Sequence, residues 1–195
     1  MAIIHDNPLD TFQDWYAQAL KLDRKDNNAV TLATANKEGR PSARIVLLKH
    51  ADENGYCFFT NFTSRKGHEL IENPYAALCF YWEELGKQIR IEGHIEAASD
   101  KESDDYFSSR PRGSQLGAWA SHQSAPLGTP DDLVKRLEIF KTQFGEGPIP
   151  RPPFWGGFRL IPNHIEFWKE GEFRLHTRIL YQLREGNWSV SRLYP

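Results

Sequence analysis

Four cations stand at or near the ends of two apolar runs in this chain, with one hydroxyl among them. They are Arg44, Lys49, Arg65 and Lys66, and the hydroxyl belongs to Thr60. A charged side chain that closes a buried strand must reach solvent or meet an opposite charge. A phosphate beside the start of a helix would satisfy these groups together. The alternative is a set of solvated charges at strand ends.

A second candidate anion site lies further along the chain, in residues 106–114. Tyr106 and Arg110 are spaced so that they share one face of a helix, and Ser114 opens the next predicted helix. A phenol, a guanidinium and a hydroxyl at this place could hold a second anion. The alternative is an arginine placed favourably at the negative end of a helix.

The segment 87–93 alternates polar and apolar residues, which predicts a strand with one polar face. Gln88, Arg90 and Glu92 share that face. A glutamine on a strand can read a polar heterocycle through both its donor and its acceptor. The alternative, which the pattern alone favours, is an exposed polar sheet face with ion pairs between strands.

A predicted strand over 173–184 places Arg174, His176 and Arg178 on one face. Three such groups are expensive to bury without an anionic or electron-rich partner. They suit the positioning of a substrate or the handling of a proton, and the alternative is an exposed strand face. The segment 118–124, which ends in polar residues, is either a further part of a site or a surface loop.

The bulk composition excludes several classes of protein. The chain has 195 residues, a net charge of -2 and no charge asymmetry between its halves, so non-specific nucleic-acid and membrane binding are not indicated. Cys57 and Cys79 lie in apolar runs and are interpreted as small buried hydrophobes. No metal-ligand spacing, phosphate-binding glycine loop or nucleophile motif occurs. A cytoplasmic location is the resulting expectation, because no run is long enough to span a bilayer.

The hydrophobic periodicity predicts hairpin-linked strands with helices inserted between them, hence a mainly β protein with peripheral helices, built as an antiparallel barrel or sheet. The predicted helices cover 9–22, 65–73, 99–109, 114–121 and 130–144. The predicted strands cover 29–35, 42–49, 56–62, 75–82, 87–97, 155–169, 173–184 and 187–194. The whole chain, 1–195, is expected to form one domain, with a helical segment at 1–28 and a separate strand region at 152–195.

Taken in order, these segments resemble the pyridoxamine 5′-phosphate oxidase family over about residues 29–195. The blocks that carry the resemblance are RIVLLK (44–49), FFTNFTSRKGHEL (58–70), KQIRIEG (87–93), YFSSRPRGSQLGAWASHQS (106–124), PPFWGGFRLIP (152–162), IEFW (165–168), RLHTR (174–178) and the terminal RLYP. Each block is weakly specific by itself, and their order and spacing are highly specific.

The resemblance implies an FMN-binding split β-barrel that works as a homodimer, with FMN at the subunit interface and residues 152–195 supplying dimer and active-site strands. The cofactor residues it implies are Arg44, Ile45, Val46, Leu47, Leu48, Lys49, Phe59, Thr60, Arg65, Lys66, Gln88, Gln123, Ser124, Trp168 and Arg178. The substrate residues it implies are Lys49, Tyr106, Arg110, Ser114, Arg174, Leu175 and His176, of which Arg174 and His176 would be catalytic. Trp168 and Arg178 would come from the other subunit, and no metal is implied.

The implied reaction is oxidation of pyridoxamine or pyridoxine 5′-phosphate to pyridoxal 5′-phosphate by dioxygen. The sequence departs from the family pattern at Thr177, where Asp is usual, at Phe59, where Tyr is usual, and in a short segment before the first helix. Two alternatives stay open at this point. One is a related flavin oxidase that acts on another ring, such as a phenazine precursor, and the other is a non-catalytic carrier of FMN or pyridoxal phosphate.

Overall fold

The computed structural model describes residues 5–23 and 25–195, and within them nine strands form a single antiparallel sheet. The strands are β1 Ala29–Ala35, β2 Pro41–Leu47, β3 His50–Asp52, β4 Gly55–Asn61, β5 Tyr75–Trp82, β6 Lys87–Ala97, β7 Trp155–Lys169, β8 Thr177–Arg184 and β9 Asn187–Leu193. The helices are α1 Pro8–Ala19, α2 Arg65–Glu72, α3 Asp100–Ser109, α4 Arg112–Ala120 and α5 Pro130–Phe144.

The sheet curls around one long strand. The strand order is β2-β1-β5-β6-β7-β4-β3, with β8 added to β7 and β9 added to β8. Strand β7 has 15 residues and pairs with β6 along its length, with β4 near its start and with β8 near its end. A mainly β fold with peripheral helices, built as a curled half-barrel, is therefore confirmed.

A bulge between Glu92 and Gly93 shifts the β6–β7 register and bends the two strands together. Gly93 is required there, because a Cβ at this position would lie 1.9 Å from the carbonyl oxygen of Ile161. The bulge thus lets the longest two strands of the sheet follow the curl.

The main core lies between α1 and the concave face of the sheet, and it is rich in aromatic rings. Phe12 packs edge-on against Tyr56 at 4.9 Å between ring centroids, and Trp15 packs edge-on against Phe167 at 5.3 Å. Such edge-to-face contacts add to the stabilisation that burial of the rings provides. Cys57 is fully buried, and Cys57 and Cys79 are both free thiols.

A smaller core joins α3, α4 and α5 to the start of β7. It consists of Phe107, Leu116, Ile149 and Trp155, and Leu137 and Phe140 of α5 pack against it. One side of α5 thus covers this cluster, although Leu133, near the start of the helix, is exposed.

Helix starts were predictable because their capping residues are local in sequence. Ser99 and Glu102 form the expected capping box of α3, and Ser64 caps α2 by accepting a hydrogen bond from the amide of Gly67. Strands β1, β5, β6 and β7 have the predicted bounds, whereas the strand predicted over 42–49 ends at Leu47 and a short separate strand, β3, follows it.

The strand predicted over 173–184 is wrong at its start. Residues Glu172–Arg174 form a single 3₁₀ turn, and β8 begins only at Thr177. Phe173 and Arg174 both have positive φ, at 53° and 64°. The alternation predicts one strand face shared by Arg174, His176 and Arg178. That prediction is wrong, because Arg174 lies in the turn and His176 also precedes the first residue of β8.

No helix in the described ranges has both the length and the apolar character needed to cross a membrane. The predicted N-terminal segment 1–28 is helical over Pro8–Ala19, while residues 1–4 and residue 24 lie outside the described residues.

Candidate active site

A cavity of about 260 Å³ opens between β2, β4, α2 and α3. It is lined by Ile45, Val46, Leu47, Lys49, Phe59, Thr60, Lys66, Tyr106, Arg110, Gln123 and Trp155. All of these except Trp155 were predicted as site residues. The fold therefore brings part of each candidate anion group to one cavity: Lys49, Thr60 and Lys66 of the first and Tyr106 and Arg110 of the second.

Lys66, in the first turn of α2, forms the polar end of this cavity. Its Nζ donates to Oε1 of Gln123 at 2.7 Å, to Oγ1 of Thr60 at 3.1 Å and to Oγ of Ser64 at 3.3 Å. Burial, with a smaller contribution from nearby Arg44, lowers the pKa of Lys66 to about 8. Among the described residues Lys66 forms no ion pair, so its charge is available to an anion.

Arg110, directly after α3, lies at another wall of the cavity. Its guanidinium carbon lies 4.8 Å from the ring centroid of Trp155 and 5.5 Å from that of Phe107. Its Nη1 is buried and has no hydrogen-bond partner in the described part of the chain. Burial lowers the pKa of this guanidinium. A buried donor without a partner is costly, and an anionic ligand in the cavity would satisfy it.

Aromatic rings form an apolar wall between the two cationic ends. Phe59 stacks on Tyr106 at 4.3 Å and on Trp155 at 5.6 Å between centroids. The Nζ of Lys49 lies 5.3 Å from the Tyr106 centroid. Such a wall offers flat apolar area to a ring system, whereas the cations at its ends offer charge to phosphates.

Arg44 and Arg65 lie beside the cavity and are held by a carboxylate that sequence reasoning missed. Arg44 Nη2 is 3.2 Å from Oε2 of Glu69, and Arg65 Nε is 2.9 Å from Oε1. Neither arginine is a lining residue of the cavity. The one available signal was the spacing of Arg65 and Glu69, which places them on the same face of α2.

A second group of predicted residues lies on adjacent strands, away from the cavity. The register aligns Gln88 of β6 with Trp168 of β7, and Trp168 with Arg178 of β8. The ring of His176 lies 4.6 Å from that of Trp168. In the described chain none of these side chains lines the cavity.

Glu166 is a second carboxylate that the sequence did not single out. It accepts from Nε and Nη2 of Arg178 at 2.7 and 3.0 Å and lies 3.2 Å from Nη1 of Arg90. Arg90 also pairs with Glu92. The interpretation of this sheet face as one with ion pairs between strands is therefore correct for Arg90.

The remaining predicted residues are not gathered into the cavity. Leu48 is buried in the main core, and Ser114, Ser124, Arg174 and Leu175 are exposed. Ser124 has a positive φ of 70°, in the loop that directly follows Gln123. The segment 118–124 is thus partly a site, through Gln123, and partly a surface loop.

The fold is that of the split β-barrel proteins. The structure of PhzG from Burkholderia lata, in complex with tetrahydrophenazine-1-carboxylic acid, matches with a TM-score of 0.92 at 33% identity, over 98% of this chain and 94% of PhzG. A pyridoxamine 5′-phosphate oxidase-related, FMN-binding protein from Nostoc punctiforme shares the fold with a TM-score of 0.75 at 20% identity, over 94% of this chain and 97% of that one.

The chain belongs to the pyridoxine/pyridoxamine 5′-phosphate oxidase family. Residues 17–142 match the family described as pyridoxamine 5′-phosphate oxidase, and residues 155–195 match the pyridoxine 5′-phosphate oxidase C-terminal dimerisation region. The pyridoxine/pyridoxamine 5′-phosphate oxidase of Polynucleobacter asymbioticus is 53% identical over 97% of this chain and 89% of its own length. That of Acaryochloris marina is 48% identical over 98% and 88%.

Proposed function

We propose that this protein oxidises pyridoxamine and pyridoxine 5′-phosphate to pyridoxal 5′-phosphate with bound FMN. Dioxygen would be the final oxidant, and peroxide, with ammonia from the amine, would be released. The observation that carries the proposal is one cavity with two separate cationic ends, Lys66 and the pair Lys49 and Arg110, joined by an aromatic wall. A flavin nucleotide and a phosphorylated substrate need two such anion sites side by side.

The residues at the Lys66 end fit the phosphate of FMN. Lys66, Thr60 and Gln123 would bind it directly, with Arg44, Arg65 and Ser124 around it. The segment 45–49 and Phe59 would lie along the nucleotide. Bound FMN supplies the acceptor for a hydride equivalent from the substrate carbon C4′ and passes the electrons to dioxygen.

The residues at the other end fit the substrate phosphate. Lys49, Tyr106 and Arg110 would bind it, with Ser114 reaching it from α4. Anchoring the phosphate there would fix the substrate ring in one orientation, so that the reaction becomes effectively unimolecular. The unpartnered Nη1 of Arg110 supports this role, because a phosphate oxygen would complete its hydrogen bonding.

A homodimer would complete the site. Gln88 would contact the flavin ring, and Trp168 and Arg178 would reach the flavin from the other subunit. Arg174, Leu175 and His176 would contact the substrate ring, with Arg174 and His176 as the catalytic pair. The match of residues 155–195 to a dimerisation region supports this arrangement.

A second candidate is oxidation of a phenazine precursor, which the likeness to PhzG favours. The ligand in the PhzG structure also carries a carboxylic acid group, so the presence of Arg110 alone does not distinguish a phosphorylated substrate from a phenazine precursor. A phosphate dianion needs more positive charge than a carboxylate, and Lys49 supplies it beside Arg110. This extra cation favours the phosphorylated substrate.

The test is aerobic turnover of the purified holoprotein with pyridoxamine 5′-phosphate, pyridoxamine and a tetrahydrophenazine carboxylic acid, with peroxide and product absorbance as readouts. We expect turnover only with the phosphorylated amine at micromolar concentrations. Preference for the phenazine precursor would establish the second candidate. Binding of every compound without peroxide release would indicate a carrier.

A further inference from the structure

Glu69 is a buried carboxylate at the centre of a cluster of donors. Its side chain is 7% exposed, and it lies on α2, three residues after Lys66. Its oxygens accept from Nε of Arg65 at 2.9 Å, from Nη2 of Arg44 at 3.2 Å and from Oγ of Ser42 at 2.6 Å. Thr34 donates a further hydrogen bond to it. Three different elements, β1, β2 and α2, therefore meet at this one side chain.

The cluster keeps Glu69 ionised although it is buried. Burial by itself raises the pKa of a carboxyl group, but hydrogen bonds from Ser42, Thr34, Arg65 and Arg44 outweigh it and lower the pKa to about 2. A buried charge of this kind is stable only while its partners stay in place. Glu69 and the two arginines thus constrain one another.

The guanidinium of Arg44 is fixed from several sides. Besides Glu69, its Nη1 donates to the carbonyl oxygen of Leu32 at 3.3 Å and to Oγ1 of Thr34. Arg65, by contrast, has a side chain that is 65% exposed, and within the described part of the chain Glu69 is its one ion-pair partner. Without Glu69, Arg65 would gain the rotamers of a free surface arginine.

The charges around Lys66 suit a doubly charged anion. Arg44, Arg65 and Lys66 are three cations, and Glu69 is the one carboxylate that pairs with any of them in the described ranges, which leaves two net positive charges. A phosphate monoester carries nearly two negative charges at neutral pH. The carboxylate therefore sets both the geometry and the net charge of this cluster.

We propose that Glu69 is a positioning residue that holds Arg44 and Arg65 in place beside Lys66 for a phosphate monoester. This inference rests on the proposed function, in which that phosphate belongs to FMN. In the alternative role, the Glu69 carboxylate competes with the phosphate for the guanidinium groups of Arg44 and Arg65 and so lowers their affinity for it. The two roles predict opposite changes in affinity when the charge is removed.

The test uses E69Q apoprotein, with FMN and riboflavin as the probes and flavin fluorescence quenching as the readout. Positioning predicts that E69Q weakens FMN binding by roughly tenfold, because hydrogen bonds to charged groups are lost. Riboflavin, which lacks the phosphate, should bind within about twofold of wild type. Unchanged or tighter binding of FMN by E69Q would overturn the proposal.

The matched control is E72Q, on the same helix. Glu72 is exposed, and in the described chain it contacts neither arginine, yet the substitution removes the same charge from α2. We expect E72Q to bind FMN as wild type does. An equal loss of FMN affinity in E72Q and E69Q would assign the effect to overall charge and overturn the positioning role.

A further variant keeps the proposal testable if E69Q does not fold. S42A retains every charge and removes both a donor to Glu69 and an acceptor for Nη2 of Arg44, so it loosens the same cluster. It should weaken FMN binding by roughly two- to fivefold and leave riboflavin binding unchanged. No change in FMN affinity for S42A would then count against the proposal. If wild type does not bind FMN more tightly than riboflavin, the proposed function itself fails, whatever the variants do.

Discussion

Five of the cations predicted as site residues divide into two kinds according to what they contact. Arg44, Arg65 and Arg178 each contact a buried carboxylate. Lys66 and Arg110, in contrast, form no ion pair within the described residues and are both partly desolvated. A desolvated cation without an acidic partner is energetically unfavourable unless a ligand supplies the missing charge. These two residues therefore mark the two ends of the site.

The lowered pKa of Lys66 predicts a pH-dependent affinity for FMN. In the proposed function the protonated ammonium would bind the phosphate, and burial lowers its pKa in the free protein to about 8, below the ordinary value of a lysine. FMN affinity should therefore decline as pH rises above about 8, by up to roughly tenfold per pH unit. Fluorescence titration between neutral and alkaline pH measures this.

Two controls belong to that titration. Riboflavin affinity should stay flat over the same range, because riboflavin has no phosphate. In K66R the cation keeps its charge throughout, so the decline in FMN affinity should disappear. An equally steep decline in K66R would assign the titration to another group.

Substitution of Arg110 should impair substrate binding strongly and change stability very little. R110M should raise the KM for pyridoxamine 5′-phosphate by tenfold or more, roughly the loss of a charge-assisted hydrogen bond. The free energy of unfolding should change by less than about 0.5 kcal/mol, because the unpartnered Nη1 disappears and an apolar stem remains against Trp155. Steady-state kinetics and thermal unfolding measure the two quantities.

Arg112 is the matched control for Arg110. It donates to the carbonyl oxygens of Gly147, at 2.7 Å, and Gly145, and it does not line the cavity. R112M should lower the melting temperature and leave KM near its wild-type value. A KM effect in R112M as large as that in R110M would show that Arg110 has no special contact with substrate.

At the residue scale, sequence pattern predicted the charged and hydroxyl-bearing side chains of the cavity, and the family resemblance supplied most of its apolar lining. Neither predicted the carboxylates that support it. Arg44 and Lys66 stand out because they lie close to apolar runs, and Arg110 stands out because its spacing from Tyr106 places both on one helix face. Glu69 and Glu166 do not stand out, since acids are common in the segments around them and only the fold shows that they are buried. Burial of a polar residue depends on distant elements, which local pattern does not contain.

At the scale of elements, α3 determines where Tyr106 and Arg110 lie. Arg151 ties the start of this helix to the loop before β7, since its guanidinium contacts Asp100 at 2.7 Å and Asp104 at 2.6 Å. Its Nη1 also donates to the carbonyl oxygen of Trp155 at 2.8 Å. One side chain therefore fixes α3 relative to the aromatic wall of the cavity.

Removal of this tie should affect both stability and substrate affinity. R151M is expected to lower the free energy of unfolding by about 1–2 kcal/mol and to raise KM severalfold, with kcat less affected. K101M is the control, because its pair with Asp105 on the same helix is highly exposed and screened by solvent, so its loss should leave stability nearly unchanged. Denaturant unfolding and steady-state kinetics measure these effects. Equal free energies of unfolding and equal KM values for R151M and K101M would show that Arg151 does not fix α3 in place.

Element boundaries were predictable where the determinants are local. The capping residues of α2 and α3 and the alternation of β6 gave the correct elements. The turn at Glu172–Arg174 was misassigned because Arg174, His176 and Arg178 alternate as in a strand, although the first lies in a turn with positive φ. Gly171 allows this turn to fold back, since a Cβ there would lie 2.2 Å from the carbonyl oxygen of Leu175.

At the scale of the whole molecule, the predicted site residues form two groups that do not meet within one chain. One group lines the cavity, and the other surrounds Trp168 and His176. Near the second group, Phe173 and Tyr194 are 90% and 94% exposed. Such exposure of large apolar side chains is typical of a surface that another chain covers. The hairpin order of the strands predicted an antiparallel sheet. It did not predict which surface of that sheet would stay exposed for a second subunit, because exposure depends on how distant elements pack.

If two subunits share each site, variants impaired in different groups should complement one another when turnover is measured at substrate concentrations well below the wild-type KM. R110M damages the cavity group, and H176A damages the second group. After the two proteins exchange subunits, half of the dimers are mixed and one of their two sites is intact, so activity should recover to about a quarter of wild type. No recovery despite subunit exchange, confirmed by a tag on one variant, would place the whole site within one chain.

The most direct test of the account is the absorbance spectrum of the purified holoprotein without oxygen. On addition of pyridoxamine 5′-phosphate, the flavin absorbance in the visible region should bleach and a pyridoxal phosphate absorbance should appear, in equal amounts. Air should restore the flavin spectrum and generate peroxide. A protein that holds FMN but keeps its full flavin absorbance with this substrate would contradict the proposed oxidase activity.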